Sequence, residues 1–132
     1  MIPRLTGPPR RGLALAAALI ALAGCSGGSA PAVADQGRAR QTLDLALESW
    51  RKGEDVETMK RASPAIVVVD PRWASGARLT KFSVEGEGKP SGAERAFTVT
   101  LWLANPQGKE SREQVVYKVG TDPILTVFRA LF

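Results

Sequence analysis

The stretch Ala93–Ala104, AERAFTVTLWLA, decides the fold because apolar and polar side chains alternate along it with high regularity. A period of two residues is typical of a β-strand with one buried face, since successive side chains point to opposite sides. We expect one series of this strand to face the core and the other to face solvent. The inward series is Phe97, Val99, Leu101 and Leu103, and the outward series is Thr98, Thr100 and Trp102.

Turn signals bound this strand on both sides. Asn105-Pro106-Gln107-Gly108 has Asn, Pro and Gly at the first, second and fourth positions, which is the preference of a type I turn. A returning strand is therefore predicted over Ser111–Val119. On the other side, Gly88–Gly92 has the composition of a hairpin loop, which predicts a preceding strand over Leu79–Glu87. The residues expected on one side of that strand are Thr80, Phe82 and Val84.

Helical spacing is found earlier in the chain. A helix is predicted from about Arg38 to Gly53, because apolar residues recur there three and four positions apart. A second short helix is predicted at Val56–Lys60, ending before Ser63-Pro64, since a residue that precedes proline avoids helical geometry. The β-branched run Ile66–Val69 is a predicted strand. The apolar residues of the first helix are Leu43, Ala46, Leu47 and Trp50.

The order of these elements predicts an α+β fold. Two helices precede four or five strands, most of them antiparallel, and the last is a short strand over Ile124–Arg129. The segment Arg72–Ala77 is expected to be a connection with one helical turn. We therefore expect the N-terminal helix to pack against a curved sheet within a single domain, residues 38–132.

The N-terminal residues have the layout of a signal peptide. Met1–Arg11 carries three arginines and no acidic residue, and Gly12–Ala23 is an apolar run. The run is about 12 residues long, whereas a helix needs about 20 to span a bilayer. Residues 1–24 are therefore interpreted as an export signal, with an uncleaved short anchor as the alternative. Arg10-Arg11 leaves the choice between general secretion and twin-arginine export open.

Leu22-Ala23-Gly24-Cys25 resembles the lipobox of bacterial lipoproteins, and Cys25 is the only cysteine in the chain. The resemblance implies cleavage between Gly24 and Cys25, acylation of the Cys25 sulfur, and a mature protein of residues 25–132. Several acyl chains anchor a protein durably to a membrane, whereas one chain binds marginally. The protein is therefore expected in the cell envelope, on the periplasmic or outer-membrane side. The alternative is a chance cysteine in an ordinary secretory signal.

The segment that follows the lipobox has the composition of a spacer. Ser26–Gln36 reads SGGSAPAVADQ and contains almost no large apolar side chain. Such a segment cannot repay the entropy lost on ordering, so residues 25–37 are predicted to form a flexible tether.

Two further resemblances concern the domain. The element order is similar to the cystatin-like and nuclear-transport-factor-two-like α+β folds, which implies a long helix packed into a cupped antiparallel sheet. Val116–Arg129 and the segment from Val69 to Gly76 resemble parts of small uncharacterised lipoproteins of planctomycete-type bacteria. That family has no established activity, so the resemblance implies no functional residues for this chain. The fold does not supply them either, because a fold does not fix a function.

Composition excludes several classes of function. The net charge of +5 comes from 18 basic and 13 acidic residues; removing Arg4, Arg10 and Arg11 leaves 15 basic residues, a net charge of +2. This balance argues against a nucleic-acid partner. The chain has no His and one Cys, so it lacks the commonest general base and the residues of Cys-rich metal sites. We expect no cofactor and no metal site.

A few carboxylates are candidates for chemistry. Asp70 follows an apolar strand, but Asp before Pro at a strand end usually bonds the local backbone. Glu85 and Glu87 are two apart on a predicted strand and would project from one face as a carboxylate pair; a solvated strand end is the favoured interpretation. Tyr117 is the other group available for acid–base work.

One surface of the predicted sheet has the composition of an interface centre. Trp102 is expected to face outward with Thr98 and Thr100, and tryptophan is enriched where binding energy concentrates. Lys118 lies on the neighbouring strand. The alternative is that another layer covers this face. The neighbours expected from hairpin pairing are Lys81, Ser83 and Glu85 on one side and Gln114, Val116 and Lys118 on the other.

Two functions follow from these observations. The favoured one is a non-enzymatic, lipid-anchored envelope protein that binds an envelope protein, a glycan or an apolar ligand, or has a structural role. The alternative is a small hydrolase or isomerase that uses Asp70, Tyr117 or a Glu in a cone-shaped pocket. A cup filled by side chains favours the first, and a cavity with convergent polar groups favours the second. The side chains expected to fill it are Leu47, Trp50, Phe97 and Leu101.

Overall fold

The computed structural model describes residues 33–130, which form three helices and one five-stranded sheet. The signal peptide predicted for residues 1–24, the lipobox cysteine Cys25 and most of the predicted tether lie outside the described residues. The helices are α1 (Gln36–Arg51), α2 (Val56–Arg61) and α3 (Pro71–Ala74). The strands are β1 (Ile66–Val69), β2 (Arg78–Ser91), β3 (Glu94–Ala104), β4 (Glu110–Gly120) and β5 (Leu125–Arg129).

The strands form one open, mixed sheet in the order β1-β5-β4-β3-β2. The chain turns back three times from β2 to β5, so these pairs are antiparallel, whereas β1 pairs with β5 in parallel. The predicted α+β class with a mostly antiparallel sheet is confirmed.

The alternation predicted for β3 determines which side of the sheet holds the core. All four inward residues of this strand are at most 1 % exposed, and they lie in one cluster with buried residues of α1 and of the neighbouring strands. We call this side of the sheet the inner face. The predicted inward series, Phe97, Val99, Leu101 and Leu103, is confirmed.

Helix α1 begins at Gln36, two residues earlier than expected. The Asp35 carboxylate accepts a hydrogen bond from the Arg38 backbone N–H at 2.9 Å and so caps the helix. Gln36 and Gly37, assigned to the tether, therefore lie in the first turn of the helix. The apolar residues predicted for its core side, Leu43, Ala46, Leu47 and Trp50, are all buried.

The predicted hairpin loop at Gly88–Gly92 is wrong. Strand β2 continues through this segment to Ser91, and the chain turns at Gly92 and Ala93. The glycines belong to an irregularity within the strand, where the register with β3 shifts between Glu85 and Lys89. Gly86 and Gly88 have φ angles of 64° and 81° there, a conformation that glycine adopts without strain. The prediction failed because glycines are typical both of loops and of bulges within a strand, so composition alone does not distinguish the two.

A second irregularity in β2 changes which of its residues face the core, compared with the prediction. The register with β3 also shifts between Leu79 and Lys81, so Thr80 does not share a side with Phe82 and Val84 as predicted. Leu79 is buried, whereas Thr80 is exposed and its hydroxyl donates to the Trp102 carbonyl at 3.0 Å. An extra residue in one strand reverses the alternation beyond it.

Two tryptophans join the helices to the start of the sheet. The Trp50 and Trp73 rings are stacked, with centroids 5.1 Å apart and planes at 3°. Each indole N–H donates to a backbone carbonyl at 2.8 Å, Trp50 to Ala77 and Trp73 to Glu54. Both rings are therefore buried with their single polar atom satisfied.

The bulge in β2 gives a matched pair of substitutions. A Cβ on Gly88 would lie 2.6 Å from a ring carbon of buried Phe97, whereas a Cβ on Gly86 meets nothing within 4 Å. Both positions have a positive φ, so Gly86→Ala carries the backbone strain alone, about 1–2 kcal/mol. Gly88→Ala adds overpacking of about 1–3 kcal/mol. Urea denaturation measures the difference, and equal losses of stability would show that the bulge does not pack on Phe97.

Candidate functional site

The outer face of the sheet is the side opposite Phe97, Val99, Leu101 and Leu103. The described helices contribute their buried side chains to the core on the inner face, and the long outer-face side chains of β2 and β4 are exposed. Among residues 33–130, no helix covers the outer face. Its exposed side chains include Lys81, Ser83, Glu85, Arg112 and Gln114.

Trp102 lies between two cations on this face. In the register of the sheet it is opposite Lys81 on β2 and Arg112 on β4. The Lys81 Nζ is 4.6 Å from the ring centroid, and the Arg112 guanidinium carbon is 5.6 Å from it. Both are within the range of cation–π attraction. The two cations come from the strands that flank β3 on either side, β2 and β4.

Thr98 and Thr100 have the strand neighbours that the sequence predicted. Thr98 is opposite Glu85 and Val116, and Thr100 is opposite Ser83 and Gln114. The Gln114 side-chain amide donates to the Glu85 carboxylate at 2.8 Å, and this bond crosses β3 between the two threonines.

The exposure expected for Thr100 is wrong, because this residue is only 6 % exposed. Its short side chain lies below the longer side chains around it, so it contributes little contact surface. Thr98 and Trp102 are partly exposed.

Lys118 lies further along the outer face. It is opposite Ala96 on β3 and Phe128 on β5, and it is partly exposed. Phe128 in turn pairs with Val69 on β1, whose exposed fraction is 52 %. The outer face therefore has an aromatic residue towards each end, with cations beside both.

A buried cluster of polar residues lies on the inner side of the sheet. Asp70 follows β1, Arg72 belongs to α3, Glu113 and Tyr117 belong to β4, and Arg129 ends β5. Sequence reasoning selected Asp70 and Tyr117, and the structure brings both together. It missed Glu113 and Arg129.

Asp70 is the centre of the buried cluster and is 2 % exposed. Its Oδ1 accepts from the backbone N–H groups of Arg72 and Trp73 at 2.9 and 3.4 Å, so it caps α3 as the Asp-Pro pattern indicated. The same oxygen accepts from Arg129 Nε at 2.9 Å, and Oδ2 accepts from the Tyr117 hydroxyl. Both oxygens of the carboxylate are engaged.

The charges of the buried cluster alternate in sign. Arg129 joins Asp70 to Glu113, since its Nη1 donates to Glu113 Oε1 at 3.1 Å. Arg72 Nη2 lies 2.7 Å from the other Glu113 oxygen and extends the series towards solvent. Burial by itself lowers the pKa of Arg129, but the neighbouring Tyr117 and Asp70 raise the pKa overall, so the guanidinium stays charged.

Tyr117 keeps its proton within the buried cluster. Burial, followed by the charge of Asp70 and its hydrogen bond, raises the pKa of Tyr117 far above the ordinary value for tyrosine. Tyr117 keeps its proton, and both oxygens of the Asp70 carboxylate accept hydrogen bonds within the protein. Neither residue therefore has a free position for a reacting group. This arrangement is typical of a structural network.

The space between α1 and the sheet is occupied by side chains. Four side chains were expected to fill this space, and each is at most 2 % exposed: Leu47, Trp50, Phe97 and Leu101. A cavity of about 740 Å³ is found instead beside α1 at the surface, and its lining includes Leu45 and Phe82. It contains no residue of the buried cluster.

The carboxylate pair predicted on β2 lies at a surface cavity of about 370 Å³, whose lining includes Glu85, Glu87 and Thr98. Glu85 and Glu87 are exposed and are separated by the irregular residue Gly86, so the regular strand on which their pairing depended is interrupted. Within residues 33–130, no group of three or more His, Cys, Asp and Glu side chains is arranged to hold a metal ion. No described helix has the length and apolar character needed to cross a membrane.

Tyr117 is the only tyrosine in the chain, so its ionisation can be followed in the ultraviolet spectrum without ambiguity. Its pKa is raised in the folded state, so we expect no tyrosinate absorbance as the pH passes about 10, where free tyrosine ionises.

The raised pKa of Tyr117 also determines how the stability of the fold changes with pH. A folded-state pKa above the unfolded one contributes stability that is complete below pH ~10 and is lost as the pH rises beyond it. The free energy of unfolding should therefore fall above pH ~10, and less steeply in Tyr117→Phe. Normal ionisation of Tyr117 in the folded protein would contradict the geometry of the buried cluster.

The comparisons with known proteins found no counterpart for this chain. No protein-family model, no curated protein and no solved structure matches it. The resemblances to lipoproteins and to cupped α+β folds therefore stay predictions.

Proposed function

We propose that this chain is a lipid-anchored cell-envelope protein whose α+β domain is a non-enzymatic binding or structural module. The anchor is Cys25, acylated after cleavage behind Gly24, and the working surface is the outer face of the sheet. The proposal combines the resemblance of Leu22–Cys25 to a lipobox with the geometry of the domain.

The single observation that carries the binding role is the position of Trp102. A partly exposed tryptophan between Lys81 and Arg112, on the side of the sheet that the described helices leave open, is the composition of an interface centre. The inner face, by contrast, is filled by core side chains and by the buried cluster.

The first described residues are bonded to the sheet. The Ala34 N–H donates to the Ala93 carbonyl at 2.9 Å, and Arg95 Nε donates to the Ala34 carbonyl at 2.8 Å. These two hydrogen bonds join the beginning of the described domain to the β2–β3 turn and the start of β3.

We further propose that α1 and the sheet form a cupped arrangement of the nuclear-transport-factor-two-like or cystatin-like kind. The support is that α1 contacts four of the five strands and that its buried residues share one core with them. Fold likeness of this kind carries no function with it.

The second candidate is a small hydrolase or isomerase that works with the carboxylates and Tyr117. The observation that favours it is the convergence of Asp70, Tyr117 and Glu113 in the buried cluster. The binding module is the preferred proposal because the polar atoms of Asp70 and Glu113 are already bonded within the protein.

The anchor is tested by Cys25→Ser in the native host. The variant should lack the acyl chains, keep its unprocessed signal and change its distribution between membrane and soluble fractions. Mass spectrometry of the N-terminal peptide measures the modification, and Ser26→Ala is the matched control. Normal processing and membrane retention of Cys25→Ser would refute the proposed anchor.

The outer face is tested by Trp102→Ala, with Trp73→Ala for comparison. Trp102 is partly exposed and not part of the core, so its removal should change the free energy of unfolding by less than about 1 kcal/mol. Trp73 is 5 % exposed, and its removal should cost about 3–5 kcal/mol.

Chemical denaturation measures both effects, and crosslinking in the native envelope measures the contacts that Trp102→Ala should weaken. A loss of stability in Trp102→Ala as large as that in Trp73→Ala would make Trp102 a core residue and refute the binding role.

A further inference from the structure

The outer face carries three cations that no carboxylate neutralises among the described residues. Lys81, Arg112 and Lys118 take part in none of the ion pairs found in residues 33–130. The strand register also places two acidic side chains on this part of the face: Glu85, which is hydrogen-bonded to Gln114, and Glu110, which is opposite Ala104. The three cations outnumber these two carboxylates, and this excess of positive charge fits an anionic partner.

The position of Trp102 limits the kind of partner. Lys81 and Arg112 both lie within cation–π distance of this ring. A partner that contacts the indole therefore also meets two positive charges. A tryptophan with adjacent lysine and arginine side chains is a combination found at the headgroup level of membranes.

The apolar residues on the same face lie at its other end. Phe128 and Val69 pair across β5 and β1, and Lys118 is beside Phe128. From Trp102 to Ala96, the residue opposite Lys118, β3 extends about 20 Å at ~3.4 Å per residue. The face thus offers two aromatic contacts with cations beside each, spread over a surface as wide as several lipid headgroups.

We propose that the outer face docks on the anionic phospholipid headgroups of the membrane to which the chain is anchored. This inference rests on the proposed lipid anchor at Cys25 for its location. Eight residue steps separate Cys25 from Val33, which is at most about 28 Å of extended chain. The anchor therefore keeps the domain beside the headgroups at high effective concentration, which favours this partner over an acidic protein.

The test uses the full chain with vesicles of phosphatidylcholine alone or of phosphatidylcholine mixed with phosphatidylglycerol. Bromine on the acyl chains of either vesicle quenches tryptophan emission on contact. Trp50 and Trp73 are 2 % and 5 % exposed and stacked on one another, so Trp102 is the ring that docking brings to the lipid. We expect quenching with phosphatidylglycerol only, and its loss at high salt, because salt screens exposed charges.

A charge variant and a matched control identify the surface. In the unacylated Cys25→Ser chain, where the anchor does not determine the affinity, Lys81→Gln/Arg112→Gln/Lys118→Gln should weaken binding to phosphatidylglycerol vesicles by on the order of 100-fold, since each cation near an anionic surface contributes about fivefold. The control, Arg38→Gln/Lys52→Gln/Arg61→Gln, removes the same charge from exposed positions in the helices or directly after them, and should reduce the affinity far less.

Flotation with phosphatidylcholine vesicles reports the anchor alone, so failure of the anchor and failure of docking are distinguishable. A chain that does not float on phosphatidylcholine lacks the anchor, but its titration with phosphatidylglycerol vesicles still measures docking. Equal quenching in both vesicles, or equal affinity of the two triple variants, overturns the proposal. Crosslinked dimers without phosphatidylglycerol-dependent quenching would make a second copy the occupant, which also overturns it.

Discussion

The buried carboxylate of Asp70 is the constraint on which the rest of this domain depends. A charge removed from water is costly unless an opposite charge and hydrogen bonds surround it. Arg129 supplies the charge, and Tyr117 with the first backbone N–H groups of α3 supplies the bonds. One side chain thereby ends β1, starts α3 and fixes both to β4 and β5. The parallel pair β1–β5, which no short turn connects, is held in place at this junction.

The two sides of the sheet also differ in character. The inner face is committed to a closed core and to a polar network whose carboxylates are already bonded, so binding there would first have to break internal interactions. The outer face has the opposite character, because its cations and Trp102 have neighbours but are not enclosed. In the proposed function, the inner face stabilises the domain and the outer face makes the contacts with the lipid surface.

How much of this follows from the sequence depends on the range of each interaction. The inward series of β3, the core residues of α1 and the capping role of Asp70 are local patterns and could be predicted. The bulge at Gly86 and Gly88 could not, because glycine-rich residues in a strand and in a loop look alike. The ion-pair partner of Asp70 was missed because Arg129 is 59 residues away. One signal was present: Glu113 shares the inward phase of Tyr117, and an inward charge requires a partner.

The role of the Asp70 carboxylate is tested most directly by the stability of Asp70→Asn. This variant keeps the shape of the side chain and removes its charge. Glu85→Gln, an exposed carboxylate hydrogen-bonded on the outer face, is the control. Removing one partner from a buried ion pair costs about 3–5 kcal/mol, whereas an exposed charge contributes about 1 kcal/mol or less. We expect this difference in urea denaturation at neutral pH. Asp70→Asn as stable as Glu85→Gln would contradict it, because the buried carboxylate would then not hold the junction together.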